Sequence, residues 1–562
     1  MTLKKYHIKL YLNLNCIYKL QDSFGVNYLI ITLKRGQFVM ENVLIKKLEK
    51  EHQDYLRDES RRTGTGESIS FPKTEKEIIE ILSSLKSNGI LITTQGTRTG
   101  ITGGAVPEGG HVLSLSRMNK VIGLRYDEKA QTFFVKVQPG VVLSQLRLAL
   151  KKKEFDDTEN WDNESLKAFE KFKNSGEYFF SPDPTETSAS IGGMIACNAS
   201  GACSFKYGPT RNYIEAMRIV LVDGAVISLS RGENKAENGS FTICTSSGKL
   251  FKGSVPNYLM PKVKNASGYF TSKDMDLLDL FIGSEGTLGI VSEIELKLLK
   301  APKVHYAVTA FFDQEEKALK FVQSIRENAS PVAVEYFNSN VLNLLRREKT
   351  ENPAFGKLLD LPSHFNSAVY TEYAGNSDEE VEDMLMKAGE IIESCGGNEG
   401  DTWVATSPQA NEQLHFFRHA VPESVNLLID KRRKTHSAIT KLGTDMAVPD
   451  SCLEEVMNLY NKSLEEAGLE SVIFGHIGNN HLHVNIIPRD MDDYYKGKEL
   501  YNSWAEKVIS MGGTVSAEHG IGKLKTHLLG KMMGIDGIKE MKALKTLFDP
   551  ENRLNRGNLF EE

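Results

Sequence analysis

The sequence predicts an α+β fold made of two domains, and three observations support this. The chain has 562 residues, of which 40% are hydrophobic and 25% charged, which is more than one hydrophobic core usually organises. Short apolar runs bounded by Gly, Pro and Asp recur up to Leu299, as in a domain rich in β-sheet. From Lys300 onward, strand-like runs alternate with amphipathic segments, which indicates a second layer of sheet and helices.

The first clear element is a helix that follows a capping box. Thr74 and Glu77 form the box, and apolar residues at helical spacing continue to Leu85. Two polar stretches without sustained periodicity, 151–177 and 232–261, are expected to be surface insertions. The remaining predicted elements are strands at 90–94, 111–115, 132–137, 217–222, 225–229, 305–312 and 368–373, and helices at 315–328 and 378–395.

Composition limits the partners. The formal net charge is -6 and no long Lys/Arg block occurs, so a nucleic-acid ligand is not expected. The six cysteines include no Cys-x-x-Cys pair, which argues against a disulfide framework or a thiolate zinc site. No stretch approaches the ~18 apolar residues of a membrane-spanning helix. We therefore expect a cytoplasmic protein with no transmembrane segment; peripheral contact at the inner membrane face is the alternative.

Residues 1–39 differ from the rest of the chain. They contain six Lys/Arg and one acidic residue, and Met40 then opens a charged amphipathic segment. Asn13 and Asn15 interrupt the apolar region that a signal peptide would need. We expect Met40 to be the biological start and residues 1–39 to be an N-terminal extension that is not native; a docking arm is the alternative.

Three polar loops rich in glycine suggest a long ligand. They span residues 95–104, 181–201 and 283–291. Glycine lets the backbone approach a ligand, and amides and hydroxyls supply donors suited to a pyrophosphate. Neither Gly-x-Gly-x-x-Gly nor Gly-x-x-x-x-Gly-Lys-Ser/Thr occurs, so the usual dinucleotide and phosphoryl-transfer motifs lose support.

A second pattern brings histidines together. Apolar and polar residues alternate after Asn480, which places His481, His483 and Asn485 on one face of a strand. A two-residue turn at Asn479 and Asn480 would set His476 opposite His483.

Two opposed imidazoles can chelate one divalent metal ion, and the alternative is a plain hydrogen-bonded histidine pair. Glu518, in the glycine-bracketed stretch 512–522, is available as a third ligand. Two imidazoles and a carboxylate with positions left open suit zinc, iron or manganese in a catalytic site.

The glycine loops, together with Tyr207-Gly208 and Val222-Asp223-Gly224, resemble the FAD-binding domain of the vanillyl-alcohol oxidase superfamily. From about Pro72 to the C-terminus the chain is similar to D-lactate dehydrogenases, glycolate oxidase flavoprotein subunits and D-2-hydroxyglutarate dehydrogenases. The resemblance implies a two-subdomain FAD-binding domain of the PCMH type over 40–299. It further implies an α/β substrate cap with antiparallel sheet over 300–515, and a C-terminal segment, 516–562, that returns to the FAD domain.

The resemblance also implies the residues that contact FAD. No His or Cys lies in the first loop, where some relatives tether the flavin, so non-covalent FAD is expected. The implied contacts are Gly96, Thr97, Arg98, Gly100, Thr102, Asp183, Thr187, Gly192, Gly193, Asn198, Gly201, Glu285, Gly286 and Ile290.

The same resemblance assigns catalytic roles. His476, His483 and Glu518 match the metal ligands of the family, and His519 matches its catalytic base. The roles implied for the rest are a substrate-carboxylate clamp for Arg418, a second cationic contact for Lys441 and substrate orientation for Asn485. An arginine on the surface of an amphipathic helix is the alternative for Arg418.

Two positions depart from the family pattern. Relatives usually have Gly-Asp-Gly-Asn-Leu-His where this chain has 478–483, so His481 is extra and is expected to be a polar residue of the strand face; a spare ligand or a substrate contact are the alternatives. Arg556 stands where proline is usual, which weakens the expectation of C-terminal FAD contacts.

The function implied is FAD-dependent, metal-assisted oxidation of a D-2-hydroxy acid, D-lactate being favoured, to the 2-keto acid. Electrons would pass to an electron-transfer flavoprotein, a cytochrome or a quinone, and a homodimer is a further expectation. The alternatives are an enzyme like alkylglycerone-phosphate synthase and a non-catalytic FAD-binding subunit for electron transfer.

Overall fold

A computed structural model describes residues 17–22, 25–34, 37–42, 44–86 and 89–561. The helices are α1 (Glu75–Lys86), α2 (Leu143–Lys152), α3 (Asn163–Lys173), α4 (Ile191–Cys197), α5 (Ser204–Tyr207), α6 (Leu278–Phe281), α7 (Glu315–Asn328), α8 (Ser339–Glu351), α9 (Asp378–Ser394), α10 (Pro408–Arg433), α11 (Leu453–Ala467), α12 (Met491–Ser510) and α13 (Thr526–Phe548). The strands of the first half are β1 (Ile17–Asp22), β2 (Gly25–Lys34), β3 (Gln37–Asn42), β4 (Lys46–Lys47), β5 (Ser68–Ser70), β6 (Ile92–Gln95), β7 (His111–Ser114), β8 (Val121–Asp127), β9 (Thr132–Val137), β10 (Tyr178–Phe179), β11 (Ile214–Val220), β12 (Val226–Ser230), β13 (Ser240–Cys244), β14 (Leu250–Ser254), β15 (Ile290–Lys297) and β16 (Leu299–Lys300). The strands of the second half are β17 (Val304–Phe312), β18 (Ala333–Phe337), β19 (Ser367–Gly375), β20 (Thr402–Ala405), β21 (Leu442–Gly443), β22 (Met446–Ala447), β23 (Ser471–Gly475) and β24 (His481–Ile486).

Two sheets organise the first half of the chain. One has the order β12-β11-β15-β9-β8 with antiparallel pairs, and the other has the order β4-β5-β7-β6, in which β5 and β6 run parallel to β7. Helix α1 buries Ile78, Ile81, Leu82 and Leu85 in a core that also contains Leu113 and Ile290. The predicted strand at 132–137 is confirmed residue for residue.

One antiparallel sheet organises the second half. Its order is β20-β17-β19-β18-β23-β24-β21, with β22 paired to β24. Neighbouring residues of β17 enter different cores: Ala310 packs with α7 and α9, whereas Phe311 packs with α8 and α10. Helices therefore cover both faces of the sheet, and the predicted α+β fold with an antiparallel cap is confirmed.

The two predicted surface insertions are mostly exposed, but they form regular elements that are anchored in the core, which the sequence did not predict. Residues 151–177 contain α3, which buries Ala168 and Phe172 in the main core. Residues 232–261 contain the β13–β14 hairpin, in which Phe241 and Phe251 pack against Phe548 of α13. Each segment is too short and too polar for its apolar spacing to stand out, yet a few aromatic residues suffice to anchor it.

The assignment of residues 1–39 as an extension stays a prediction. It falls partly on residues 1–16, 23–24 and 35–36, which lie outside the described ranges; the described parts pair as an antiparallel sheet, β1-β2-β3. Among the described residues, no helix is long and apolar enough to cross a bilayer. The division at residues 299 and 515 likewise stays a prediction.

Candidate active site

A cavity that opens to solvent, with about 590 Å³ of empty space including its mouth, lies where the glycine loops meet. Asn555, from the C-terminal segment, completes its wall, and its Oδ1 accepts a hydrogen bond from the Thr94 N–H at 2.9 Å. The loops are far apart in sequence but converge on one space, as a long cofactor requires. The predicted FAD contacts that line the cavity are Gly96, Gly192, Gly193, Glu285, Gly286 and Ile290.

The lining needs glycine for steric reasons. A Cβ at Gly192 would lie 2.7 Å from Pro139 Cβ and 3.0 Å from the Pro139 carbonyl oxygen. Gly286 has a φ of +71°, a conformation that L side chains rarely adopt. At these glycines the backbone itself forms the cavity wall, so a cofactor such as FAD can approach it closely.

Glu285 connects this cavity to the C-terminal segment. Its carboxylate accepts hydrogen bonds from the N–H groups of Ile521 at 2.7 Å and Gly522 at 2.8 Å. Burial raises the pKa of Glu285 to about 7. Its carboxylate therefore faces the loop that carries Glu518 and His519, a role that the sequence did not indicate.

The other predicted FAD contacts lie outside the lining of this cavity. Thr97 Oγ1 accepts from the Ser190 N–H at 3.0 Å, and the Arg98 guanidinium lies 4.2 Å from the centroid of the Tyr55 ring. Asp183 pairs with Arg147 at 2.9 Å. The remaining members of this group are Gly100, Thr102, Thr187, Asn198 and Gly201.

The histidine hairpin forms with a register different from the predicted one. Phe474, not His476, lies opposite His483. His476 instead closes the hairpin by accepting a hydrogen bond from the His481 N–H at 3.2 Å. The predicted two-residue turn is wrong because residues Ile477–Asn479 form a 3₁₀ turn and Asn480 alone adopts the left-handed conformation, with φ +50°.

The longer turn still brings the predicted ligands together. One ligand atom from each of four residues lies within 4.8 Å of the other three. Burial lowers the pKa of His481 to about 4, and burial with the neighbouring imidazoles lowers that of His483 well below its usual value. Both rings are thus neutral, as metal ligands must be. This ligand cluster consists of His476, His481, His483 and Glu518.

Fixed acceptors orient two of the imidazoles. His476 Nδ1 lies 2.6 Å from Glu335 Oε1, and His483 Nδ1 lies 3.1 Å from the Thr444 carbonyl oxygen. Burial alone would lower the pKa of His476, but the carboxylates of Glu335 and Glu518 outweigh it and raise that pKa to about 9. His476 Nε2 lies 3.3 Å from Glu518 Oε2, so a divalent ion that binds both residues would displace the proton from this nitrogen. An acceptor on the far nitrogen of each ring is the usual surrounding of a metal-bound histidine, and with that proton released the residues fit a divalent ion.

Glu518 also makes hydrogen bonds with two residues of the predicted FAD-binding domain. Its Oε1 accepts hydrogen bonds from Lys264 Nζ and, at 3.3 Å, from Ser200 Oγ. Lys264 and Ser200 line a second cavity of about 830 Å³, whose wall includes Asn198. The ligand cluster therefore lies at the junction of the two predicted domains, beside a space large enough for a small acid.

Arg418 lies between two carboxylates. Its Nε is 3.5 Å from Glu335 Oε2, and its Nη1 is 3.7 Å from Glu372 Oε1. Through Glu335 the guanidinium is coupled to His476 of the ligand cluster. Arg418 is mostly buried, so the alternative of a surface arginine is not supported.

His519 and Glu518 share a buried partner, Asp445. His519 Nδ1 lies 3.2 Å from Asp445 Oδ2, and the backbone N–H groups of Glu518 and His519 donate to the same carboxylate at 3.1 and 3.0 Å. Lys525 Nζ and Ser516 Oγ also donate to it, at 2.8 and 2.6 Å. Asp445 thereby fixes the backbone that presents both functional side chains.

The two remaining predicted site residues differ in their surroundings. Asn485 is buried, and its Nδ2 donates to the carbonyl oxygen of His483 at 3.2 Å, so it lies next to the ligand cluster. Lys441 is exposed, and its Nζ donates to Asn426 Oδ1 at 3.0 Å.

Sequence reasoning missed three charged residues. Glu335 is an acidic residue within an apolar strand, a pattern that signals a buried charge in need of a partner. Asp445 lies four residues after Lys441, and no pattern in the sequence distinguishes it from a surface carboxylate. Lys264 carries no periodic signal, and only the fold reveals its position.

Comparisons with known proteins find two FAD-related domains in the chain. A model described as FAD binding domain matches residues 67–158 and 164–230, and one described as FAD linked oxidases, C-terminal domain, matches residues 301–559. A D-lactate dehydrogenase of Anaerostipes hadrus is 29% identical over 90% of this chain and 93% of that protein. A glycolate oxidase subunit of Bacillus subtilis is 28% identical over 88% of this chain and 89% of that protein.

A solved structure supports the fold. An alkyldihydroxyacetonephosphate synthase has a TM-score of 0.56 at 16% sequence identity, covering 88% of this chain and 76% of that one. The match extends over both halves of the molecule.

Proposed function

The chain belongs to the FAD-linked oxidases, and from that premise we propose that it oxidises a D-2-hydroxy acid, D-lactate being favoured, to the 2-keto acid. The observation that carries the proposal is the position of His519 beside the ligand cluster: its ring centroid lies 5.7 Å from that of His483. A base and a polarising site are thus adjacent, as removal of a hydroxyl proton requires.

Each residue of the site has its own proposed role in the reaction. Bound FAD would supply the two-electron oxidant that takes the α-hydride, and a divalent metal ion would supply a Lewis acid. With Nδ1 facing Asp445, His519 accepts the hydroxyl proton at Nε2. His476, His483 and Glu518 would hold the metal ion, and Asn485 helps to orient the substrate.

The substrate carboxylate needs positive charge. We keep Arg418 as its proposed clamp, although Glu335 and Glu372 already balance part of its charge. Lys264 is a second candidate, because it lines the second cavity beside Glu518. Lys441, which is exposed, is the weaker of the cations proposed from sequence.

The acceptor of the electrons is proposed to be an electron-transfer flavoprotein, a cytochrome or a quinone, because no second nucleotide motif occurs in the sequence. A cytoplasmic location, peripheral contact with the inner membrane face and a homodimer stay predictions.

Anaerobic visible spectra of the purified protein test the proposal. Addition of D-lactate, glycolate or D-2-hydroxyglutarate in turn should bleach the flavin absorbance with at least one acid, and metal analysis of the same sample should find a divalent ion. Lack of bleaching by any of the three acids would contradict the proposal.

A second candidate function is that of an alkyldihydroxyacetonephosphate synthase, favoured by the structural match alone. The same experiment separates the two, because that activity should need no metal ion at the ligand cluster. Bleaching by a hydroxy acid in a metal-containing sample therefore favours the dehydrogenase.

A further inference from the structure

His481 is buried in the ligand cluster, and neither of its ring nitrogens makes a well-directed hydrogen bond. Its side chain has 0% exposure. Neither Nδ1 nor Nε2 has a hydrogen-bond partner among the residues that the structure describes. A buried polar group without a hydrogen bond costs about 1–3 kcal/mol, so its retention indicates a ligand that compensates.

The backbone fixes this ring next to the other two imidazoles of the cluster. His481 pairs with Ala447 across β22 and β24, and its N–H donates to the His476 carbonyl oxygen. The centroid of its ring lies 5.3 Å from that of His476 and 4.5 Å from that of His483. The side chain thus lies inside the cluster and is more than the polar residue of the strand face that the sequence led us to expect.

A hydrogen bond to Asp445 explains the buried position of His481 less well than a metal ion does. His481 Nε2 lies 3.0 Å from Asp445 Oδ1, but the direction is not that of a hydrogen bond. Asp445 Oδ1 also accepts the Glu518 N–H at 3.1 Å. A metal ion on the other ring nitrogen of His481 would leave Nε2 as an N–H that can donate to Asp445, and a carboxylate is the usual outer partner of a metal-bound imidazole.

We propose that His481 is a fourth protein ligand to a divalent metal ion, alongside His476, His483 and Glu518. Ligand atoms that lie about 2.1 Å from one ion can be up to about 4.2 Å apart. The four ligand atoms lie within 4.8 Å of one another, so the side chains need to move inward only slightly when the ion binds. The inference rests on the proposed function for the presence of the ion, but adds a ligand that this function does not assign.

A fourth ligand changes which ions suit the site. Four protein ligands complete the tetrahedral shell of zinc, whereas a six-coordinate ion such as Mn²⁺, Fe²⁺ or Co²⁺ keeps two positions open. A 2-hydroxy acid offers two oxygen donors, one from the hydroxyl and one from the carboxylate. The site could therefore hold zinc, but only a six-coordinate ion would have two positions left to bind both oxygen donors of the substrate.

Metal affinity tests the inference in the FAD-loaded protein. Mn²⁺ and Co²⁺ dissociation constants, measured by competition with a chelator, should rise at least about tenfold in His481→Asn, since even outer partners of metal ligands are worth about 10–100-fold. His527→Asn is the matched control, because His527 lies outside the cluster beside Asn502. An affinity in His481→Asn equal to that of the wild type would overturn the inference.

A measurement on the unaltered protein covers the case in which His481→Asn does not fold. X-ray absorption fine structure of the Co²⁺-loaded wild type should require three imidazoles around the ion; two imidazoles, or no bound Co²⁺, would overturn the inference. Flavin bleaching shows whether the role of His481 or the proposed function has failed. Bleaching with only two imidazoles refutes the role of His481 alone, whereas three imidazoles without bleaching by any hydroxy acid refutes the proposed function alone.

Discussion

The cofactor cavity has five glycines in its wall, whereas the ligand cluster beside it consists of ionisable side chains that are nearly all buried. In the cavity, what matters is that residues such as Gly192 have no side chain. In the ligand cluster, what matters is which partner each charged side chain has. Glu335 is the partner of His476, and Asp445 is the partner of His519. Changes in the cavity should therefore act through space and weaken cofactor binding, and changes in the cluster should act through charge and weaken catalysis or folding.

The largest expected effect is that of His519→Ala. Loss of a general base lowers a rate by about 10²–10⁴-fold, so flavin reduction by the active hydroxy acid should fall by that factor while FAD stays bound. Stopped-flow absorbance measures the rate. His527→Ala should reduce flavin like the wild type, and an unchanged rate in His519→Ala would remove it as the base.

Glu335→Gln should mainly lower stability. It takes the negative charge from both His476 and Arg418. Breaking a buried ion pair costs about 3–5 kcal/mol, and the amide retains one hydrogen bond, so we expect about 3 kcal/mol less free energy of unfolding in urea. Glu351→Gln, at an exposed residue of α8, should change it by less than about 0.5 kcal/mol. Equal stability of the two variants would show that Glu335 is not paired.

Gly192→Ala should act mainly on the cofactor, with some loss of folding stability as well. The new Cβ would clash with Pro139 and displace the loop that lines the cavity. Overpacking of about 1–3 kcal/mol corresponds to at least a several-fold weaker affinity, and we expect about tenfold for FAD, measured by fluorescence titration of the apoprotein. An unchanged dissociation constant would mean that the cofactor does not approach Gly192.

The smallest effect is expected for Gly530→Ala, the glycine control. Gly530 lies within α13, and a Cβ there would meet no atom within 4 Å. Alanine is favoured over glycine in a helix by up to about 1 kcal/mol, so thermal unfolding should be unchanged or slightly higher, with unaltered FAD affinity. A loss of FAD affinity as large as that of Gly192→Ala would show that glycine substitutions act without regard to position.

The two regions also differ in how far the sequence predicts them. Glycine loops are local patterns, and six of the residues they implied line one cavity; the helix Glu315–Asn328 is likewise a local pattern and was predicted residue for residue. The hairpin register depends on how Ile477–Asn479 turns, and periodicity in the strands does not specify that. Glu335, Asp445 and Lys264 reach the cluster from distant elements, so only tertiary packing reveals them.

Metal removal tests the central claim, that the cofactor cavity and the ligand cluster act as one site. The FAD-loaded protein is treated anaerobically with a chelator, desalted and mixed with the hydroxy acid that bleaches the untreated sample. The account predicts that FAD stays bound, that bleaching slows by at least about tenfold, and that added Mn²⁺ restores it. Bleaching at the original rate in protein shown to be free of divalent metal would contradict the account.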